Sequence, residues 1–319
     1  MSTAVSRSWQ RTGSQARRTS LTRKFPFLRG PALLLLPAVV VIAFITGYPL
    51  VKLLVMSFQK FGRAQIFGKP PEFVGFDNYV HVLTDHEFWV VLGRSVGFCA
   101  ACVIATMSLG VAVALLMTRL GRAMKALVSV GLVLAWAMPP LSATTVGGWL
   151  FDTRRGLINY LLSQVTGNDW SGHSWLNNPW SFFFVATVII TWQSVPFVAF
   201  TTYAALTQVP GEVLEAANLD GTSAWQRFRL IVVPYIRSVL LVLLVLQVIW
   251  DMRVFTQIYA LQTIGGVISE TSTIGVYIYQ VSTARGDLGS GGAIAVLLVI
   301  FMLAISGYYI RSLLREEEA

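Results

Sequence analysis

Six apolar segments, each long enough to cross a lipid bilayer, restrict what this chain can fold into more than any other feature. They cover residues 31–58, 95–118, 126–151, 180–206, 238–259 and 293–313. A helix needs about 20 apolar residues to cross the hydrocarbon core of a membrane. Inside that core the backbone must satisfy its own hydrogen bonds, which a helix does within a single segment. The sequence therefore predicts an all-α integral membrane protein with six transmembrane helices.

Composition and charge agree with a membrane location and argue against nucleic-acid binding. Charged residues make up only 12% of the 319 residues, whereas soluble proteins carry about 25%. Six crossings put both termini on one side, and that side receives 15 of the 24 Lys/Arg but six of the 15 Asp/Glu, which accounts for the whole net charge of +9. Because Lys and Arg accumulate on the cytoplasmic face of membrane proteins, we expect both termini in the cytoplasm.

The first 30 residues are basic and rich in Ser and Thr, and we interpret them as a cytoplasmic N-terminal tail. With the apolar segment that follows they resemble a signal peptide. However, residues 31–58 are too long for a signal-peptide core, and no small-residue cleavage site follows promptly. The sequence predicts a retained signal anchor in the bacterial cell membrane, with a six-helix transmembrane domain over residues 31–315.

Nothing in the sequence indicates an active site or a metal centre. Cys99 and Cys102 form a C-x-x-C pattern inside an apolar helix, and all three histidines fall in predicted loops, whereas a structural zinc site needs four ligands. The phosphate-binding pattern G-x-x-x-x-G-K-[ST] is absent from the sequence. We expect no catalytic residue, metal or cofactor on this chain and interpret the cysteines as small apolar residues.

The loop of about 30 residues at 207–237 carries unusually many helix signals. Pro210-Gly211 ends the preceding membrane helix, and residues 212–220 read as a short helix with acids in its first turn. Gly221 follows at the position where a left-handed residue ends a helix. Ser223-x-x-Gln226 is a capping-box pattern that starts another helix, which runs to Pro234. A cytoplasmic loop folded into two capped helices is suited to contact a partner, although a compact connector is the alternative.

This loop carries a family resemblance. Glu215-Ala216-Ala217-x-x-Asp220-Gly221, followed by Ile231-x-x-Pro234, resembles the EAA loop of permease subunits of binding-protein-dependent ABC importers, with Val233 in place of the usual Leu. Three further stretches are similar to the carbohydrate-uptake group related to the maltose and glycerol-phosphate permeases. They are Trp192-Gln193-x-x-Pro196-Phe197, Phe73-Val74-Gly75-x-x-Asn78-Tyr79 and Thr271 with Tyr277-Ile278-Tyr279.

The resemblance implies the permease fold and a set of partners. In this family the short helix of the EAA loop docks on a cytoplasmic ATPase, so Glu215, Ala216, Ala217, Asp220, Gly221 and Pro234 are the implied coupling residues. Also implied are an ATPase dimer that binds ATP and Mg²⁺, a second homologous permease subunit and an extracytoplasmic solute-binding (lipo)protein. Membrane lipid surrounds the chain, and the expected cargo is a di- or oligosaccharide.

Substrate contacts are harder to predict. Polar residues inside membrane helices tend to face a pathway, which singles out Trp192, Gln193, Trp250 and Asp251. Helix packing or a position at the membrane interface is an alternative for both Trp residues, and Asp251 could instead pair with Arg253. The family pattern L-T-x-G-G-P is altered to Leu261-Gln262-Thr263-Ile264-Gly265-Gly266-Val267, so no substrate contact is carried over from it.

The sequence leaves three alternative functions to compare with sugar import. Import of a polyol or a glycerol phosphate would favour a cation in the pathway, for which Arg253 is the one candidate. An ion-coupled secondary transporter would carry more carboxylates in its membrane helices. An intramembrane enzyme would need a Ser/His or paired-Asp arrangement inside a span, and the predicted spans have none.

Overall fold

The computed structural model of the protein describes residues 31–317, so the basic tail predicted at residues 1–30 lies outside the described residues. The described part is almost entirely helical. Its elements are α1 (Pro31–Ile42), a π turn (Ala43–Gly47), α2 (Tyr48–Ser57), β1 (Gln59–Lys60), α3 (Arg63–Ile66), β2 (Glu72–Phe73), α4 (Asp77–Thr84), α5 (His86–Arg119), α6 (Arg122–Ala137), α7 (Pro140–Leu150), α8 (Leu157–Thr166), α9 (Pro179–Leu206), α10 (Gly211–Leu219), α11 (Ala224–Arg227), a π turn (Phe228–Val232), α12 (Val233–Tyr235), α13 (Arg237–Met252), α14 (Thr256–Ile264), α15 (Ile268–Thr271), α16 (Ile274–Tyr279), a π turn (Gln280–Ala284) and α17 (Leu288–Glu317).

Four stretches of the described chain are long and apolar enough to cross a membrane as continuous helices. They are Leu35–Ser57, His86–Arg119, Pro179–Leu206 and Leu288–Gly307. Two further spans arise if each of two bent helix pairs counts as one crossing, which gives up to six. The predicted all-α membrane fold is confirmed, but two of its crossings are broken rather than straight.

The third predicted crossing, residues 126–151, is wrong as a continuous helix. It consists of α6 and α7, whose axes differ by 102°. Pro139 and Pro140 cause the break, because proline lacks the backbone N–H of a helix and forces the preceding residue out of helical geometry. Met138 accordingly has φ −72° and ψ 126°, and Pro140 begins α7.

The fifth predicted crossing, residues 238–259, is also interrupted. Helix α13 ends at Met252, and α14 begins only at Thr256. At its other end α13 begins at Arg237 and forms an angle of 75° with the stretch Ala224–Tyr235. The break lies at Ile236, two residues after Pro234. The sequence stays largely apolar through the break before α13 and the break after it, so hydropathy alone reveals neither.

The connections at residues 59–94 and 152–179, which lie between predicted crossings, contain secondary structure of their own. Residues 59–94 include the antiparallel pair of β1 and β2 as well as α3, α4 and the start of α5, and residues 152–179 include α8. The Asn78-Tyr79 pair anchors the first connection. Asn78 Nδ2 donates to the carbonyls of Ser57 and Gln59 at 2.9 Å each, and the Tyr79 and Ser57 hydroxyls lie 2.6 Å apart. This motif therefore has a structural role.

Helices α5 and α9 form the most closely packed pair of the bundle. A Cβ placed on Gly110 would lie 2.5 Å from Val198 Cγ1, so only glycine allows the two helices to approach this closely there. Cys99 and Cys102 lie on the buried side of α5 as free thiols, close to Val248 and Thr187. Their interpretation as small packing residues is confirmed.

Candidate functional site

The predicted coupling helix is α10, and its termini have the expected geometry. It runs from Gly211 to Leu219, and the C-cap residue Asp220 donates its backbone N–H to the carbonyl of Ala216 at 3.0 Å. Gly221 follows with φ +72°, in the left-handed region that favours glycine. The capping box predicted at Ser223 is also present, because its hydroxyl accepts from the Gln226 N–H and the Gln226 side chain accepts from the Ser223 N–H.

Helix α10 has an inner and an outer face. On the inner face, Leu214 packs against a cluster that joins the end of α9 to the start of α13, formed by Ala205, Val209, Val232 and Ile236 with Phe228 beside them. Ala217 is also on this face, 5% exposed, and its carbonyl accepts from the Thr222 hydroxyl at 2.6 Å. Helix α10 therefore turns Ala217 inward in the described chain, and its implied contact with an ATPase stays a prediction.

The outer face of α10 combines a carboxylate with a large apolar side chain. Glu215, Ala216 and Leu219 are all exposed. Leu219 is 90% exposed, and Trp225 in α11 is 65% exposed. Sequence reasoning missed both, although Leu219 follows Glu215 by four residues and must share its face of the helix. Glu215, Ala216, Leu219 and Trp225 form an exposed patch, for which we propose a coupling role below and which we call the coupling surface. Asp220 and Pro234 are exposed but act at helix ends.

A cavity of about 400 Å³ opens at the break between α13 and α14. Its polar lining consists of Ser194, Asp251, Arg253, Thr256 and Gln257. Trp250 also lines it, and its ring packs against Phe197 with centroids 5.1 Å apart. A break in a membrane helix leaves backbone groups free to bind a solute, which is where transporters commonly place their sites. Trp250 and Asp251 therefore line the same cavity, and their predicted contact with a substrate stays a prediction.

Asp251 is buried, and its partner differs from the suggested one. The side chain is 3% exposed, and both carboxylate oxygens lie 3.2 Å from Gln247 Nε2, one turn earlier in α13. The expected alternative partner, Arg253, lines the cavity but forms no ion pair with Asp251 within the described chain. The Gln247 Oε1 atom is buried without a hydrogen-bond partner among the described residues. The Gln247–Asp251 pair can therefore accept further hydrogen bonds inside the bundle.

Gln193 and Trp192 occupy different environments. Gln193 Nε2 donates to the carbonyl of Met138 at 3.1 Å, which satisfies a backbone group freed by the α6–α7 break. Its Oε1 accepts from Gln257, a cavity residue, at 3.3 Å. Gln193 is therefore linked to the cavity, whereas Trp192 is not among the residues lining it and is 45% exposed on the flank of α9.

Comparison with known proteins gives a consistent set of similarities. The family model described as "Binding-protein-dependent transport system inner membrane component" matches residues 106–316. The diacetylchitobiose uptake system permease protein DasB of Streptomyces coelicolor is 43% identical over 90% of this chain and 88% of its own. The sulfoquinovosyl glycerol transport system permease protein SmoG of Agrobacterium fabrum is 31% identical over 88% of both chains.

Solved structures show the same fold at low sequence identity. A chain of a bacterial alginate ABC transporter, crystallised in complex with an alginate pentasaccharide-bound periplasmic protein, superposes with a TM-score of 0.74. It is 20% identical, and the match covers 87% of this chain and 91% of that one.

Proposed function

The chain belongs to the family of binding-protein-dependent transport system inner membrane components and is a multi-pass permease of an ABC importer for sugars; we propose that its cargo is a di- or oligosaccharide. The relative named for diacetylchitobiose, a disaccharide, supports this cargo class, and the relative named for sulfoquinovosyl glycerol supports a glycoside cargo more generally. The cavity at the α13–α14 break supports it further, because sugars bind to aromatic rings and to side chains that donate and accept hydrogen bonds. Trp250, Asp251, Thr256 and Gln257 supply both kinds of contact.

A glycerol phosphate or a polyol is the second candidate cargo. Arg253 lines the same cavity and forms no ion pair within the described chain, so it is available to a phosphate group. Asp251 lies in the same cavity and opposes an anion. Uptake assays with a neutral disaccharide and with glycerol 3-phosphate, using matched concentrations, separate the two cargoes.

ATP-driven transport requires partners on both sides of the membrane. We expect an ATPase dimer, which carries the ATP and Mg²⁺, to bind in the cytoplasm, and a solute-binding protein to bind at the opposite face. A second homologous permease completes the membrane part. This chain has no catalytic role in the scheme and needs no cofactor of its own.

The observation that supports ATPase docking most directly is the two-faced packing of α10. Its inner face is joined through Leu214 to the starts and ends of membrane helices, while Glu215 and Leu219 remain exposed on the outer face. A nearly fully exposed leucine is unfavourable in water and favourable inside a protein contact. A partner bound there would move α10, and with it the ends of α9 and α13.

Substitutions in α10 and at its end test the coupling role. Glu215→Lys reverses a charge on the coupling surface, and losing a buried charged partner typically costs about 2–5 kcal/mol of binding free energy. Gly221→Val places a β-branched residue at φ +72°, which costs about 1–3 kcal/mol. We expect both variants to insert in the membrane but to abolish uptake and the stimulation of ATPase activity by the loaded binding protein.

Crosslinking gives an independent measurement. A cysteine at Ala216 should crosslink to the ATPase, whereas one at the inward-facing Ala217 should react poorly. Asp169→Lys is the matched control, because it makes the same charge change in an exposed segment outside the coupling loop. Normal uptake by both coupling variants, together with no crosslink from Ala216, would remove the coupling role from this helix.

A further inference from the structure

Helix α8 presents an apolar face that nothing in the described chain covers. Leu157, Tyr160, Leu161 and Val165 are 43%, 61%, 46% and 83% exposed. They recur at the spacing that places residues on one side of a helix. This apolar face of α8 is defined by those four residues.

The opposite side of α8 is firmly attached to the rest of the loop. Asn159, 4% exposed, donates to the carbonyl of His173 at 2.9 Å and accepts from Trp175 Nε1 at 2.6 Å. Ser163 accepts from the Trp170 N–H at 3.0 Å. Because these bonds determine the orientation of α8, the exposure of its apolar face is a property of the fold.

A basic pocket lies next to this face. It has a volume of about 390 Å³ and is lined by Trp149, Arg154, Arg155, Tyr160, Ser163 and Ser171, among others. The nearest acid, Asp152, accepts from the backbone N–H groups of Arg155 at 2.7 Å and Arg154 at 2.9 Å. Those bonds hold the pKa of Asp152 below its ordinary value. Neither guanidinium forms an ion pair within residues 31–317.

The pocket and the apolar face continue a surface of the third span. Helix α7 exposes Leu141, Val146 and Trp149 on one side, and Trp149 forms part of the pocket wall together with Tyr160 of α8. Trp and Tyr concentrate where the hydrocarbon core meets the lipid headgroups. An amphipathic helix at that depth buries its apolar face in the acyl region and leaves its cations at the headgroup phosphates.

We propose that α8 lies at the interface between membrane and water, on the outer face of the membrane that the chain spans, with its apolar face in the acyl chains. In this position Arg154 and Arg155 bind the phosphate of an anionic phospholipid headgroup. Arginine suits this ligand because its planar guanidinium can form two parallel hydrogen bonds to phosphate oxygens. Two cations and the ionised Asp152 beside them leave a net charge of +1, which an anionic headgroup neutralises and a zwitterionic headgroup, with its own cation, does not. The proposal rests on the membrane location and on the predicted topology, which puts residues 160–175 outside, and it is independent of the cargo.

Spin labels measure the depth of α8 directly. Leu161→Cys and Val165→Cys, each labelled with a nitroxide in the complete importer in phosphatidylglycerol-containing bilayers, should be relaxed more by oxygen than by a water-soluble nickel chelate. Asn168→Cys, in the exposed segment after α8, is the control and should show the reverse order. Preferential relaxation of both α8 labels by the nickel chelate would overturn the proposal.

Lipid selectivity tests the two arginines. The wild-type importer should have a higher Tm in phosphatidylglycerol nanodiscs than in phosphatidylcholine nanodiscs, since a ligand bound only to the folded state stabilises it. Arg154→Gln with Arg155→Gln should remove at least half of that difference, whereas Lys60→Gln with Lys69→Gln, which removes two cations elsewhere, should leave it unchanged. An unchanged difference in the arginine variant would contradict the proposal. The proposal would also be contradicted if the α8 labels were accessible to water and the variant with Arg154→Gln and Arg155→Gln bound the solute-binding protein more weakly. That result would assign this surface to the solute-binding protein.

Discussion

A carboxylate inside a membrane bundle is energetically costly, because lipid and apolar side chains cannot solvate its charge. Such a residue therefore usually has a function. Asp251 has only Gln247 as a hydrogen-bonding partner among the described residues and opens on the cavity. The bond to Gln247 already orients this carboxylate, so a sugar hydroxyl could donate to it without a rearrangement of the helix. At the scale of single residues, Asp251 is therefore the strongest candidate for cargo contact.

Asp251→Asn and Trp192→Ala test the two parts of the predicted pathway. Asp251→Asn keeps the size of the side chain and removes its charge, so we expect uptake to fall about 10- to 100-fold while the importer still assembles. Trp192 lies outside the lining of the α13–α14 cavity, so Trp192→Ala tests the separate sequence prediction that its ring lines the pathway. On that prediction uptake falls without loss of the ATPase from the purified complex. Uptake and pull-down of the ATPase are the measurements.

Each substitution has a distinct contradicting outcome. Normal uptake by Asp251→Asn would show that the acid is a structural partner of Gln247 alone. Normal uptake by Trp192→Ala, or failure of that variant to assemble, would make Trp192 a packing residue. Asn168→Ala, an exposed change in the segment after α8, serves as the control for nonspecific effects.

Residue-scale prediction from sequence succeeded where backbone geometry demands one residue type. Gly221 was expected at a helix end and has φ +72°. The inward orientation of Ala217 could not be predicted, because α10 is too short for its apolar pattern to define a buried face. Leu219 was overlooked because an exposed leucine is an ordinary residue until its degree of exposure is known.

At the scale of helices, the sequence revealed which segments are apolar but only partly where they break. The α6–α7 break follows from Pro139-Pro140 and could have been predicted. The α13–α14 break at residues 253–255 contains neither Pro nor Gly. At this break Phe255 packs against Tyr279, and the Thr273 hydroxyl donates to the Val254 carbonyl at 3.3 Å. These are tertiary contacts, which only the folded chain provides.

Helix packing predicts a difference between two glycines. Gly110→Val would press against Val198 and should destabilise the bundle by about 1–3 kcal/mol, as overpacking of a closely packed site typically does. Gly131→Val, in α6, meets nothing within 4 Å and should leave the Tm unchanged or raise it slightly. Thermal unfolding of the two purified variants measures the difference. Equal Tm values would mean that α5 and α9 separate readily at this point.

At the scale of the whole molecule, six crossings determine which side each loop occupies. The charge distribution predicts residues 160–175 outside and residues 212–222 inside, with both termini in the cytoplasm. Because Cys99 and Cys102 are buried, single cysteines can be introduced at exposed positions without strong background labelling. Asn168→Cys should react with an impermeant maleimide in intact cells, and Ala216→Cys should react only after the membrane is opened. Labelling of Asn168→Cys from the cytoplasm alone would overturn this topology.

Helix α13 connects the two sites of this molecule as one uninterrupted rod. It begins beside the cluster that holds Leu214 and carries Asp251 in its final turn, and its 16 residues measure about 24 Å. A sideways shift of about 3 Å at one end of a rod this long, pivoting at the other, corresponds to a swing of about 7°. If α10 couples transport as proposed, a small displacement there is enough, but α13 must stay stiff. A substitution that made the middle of α13 flexible would absorb the displacement before it reached the cavity.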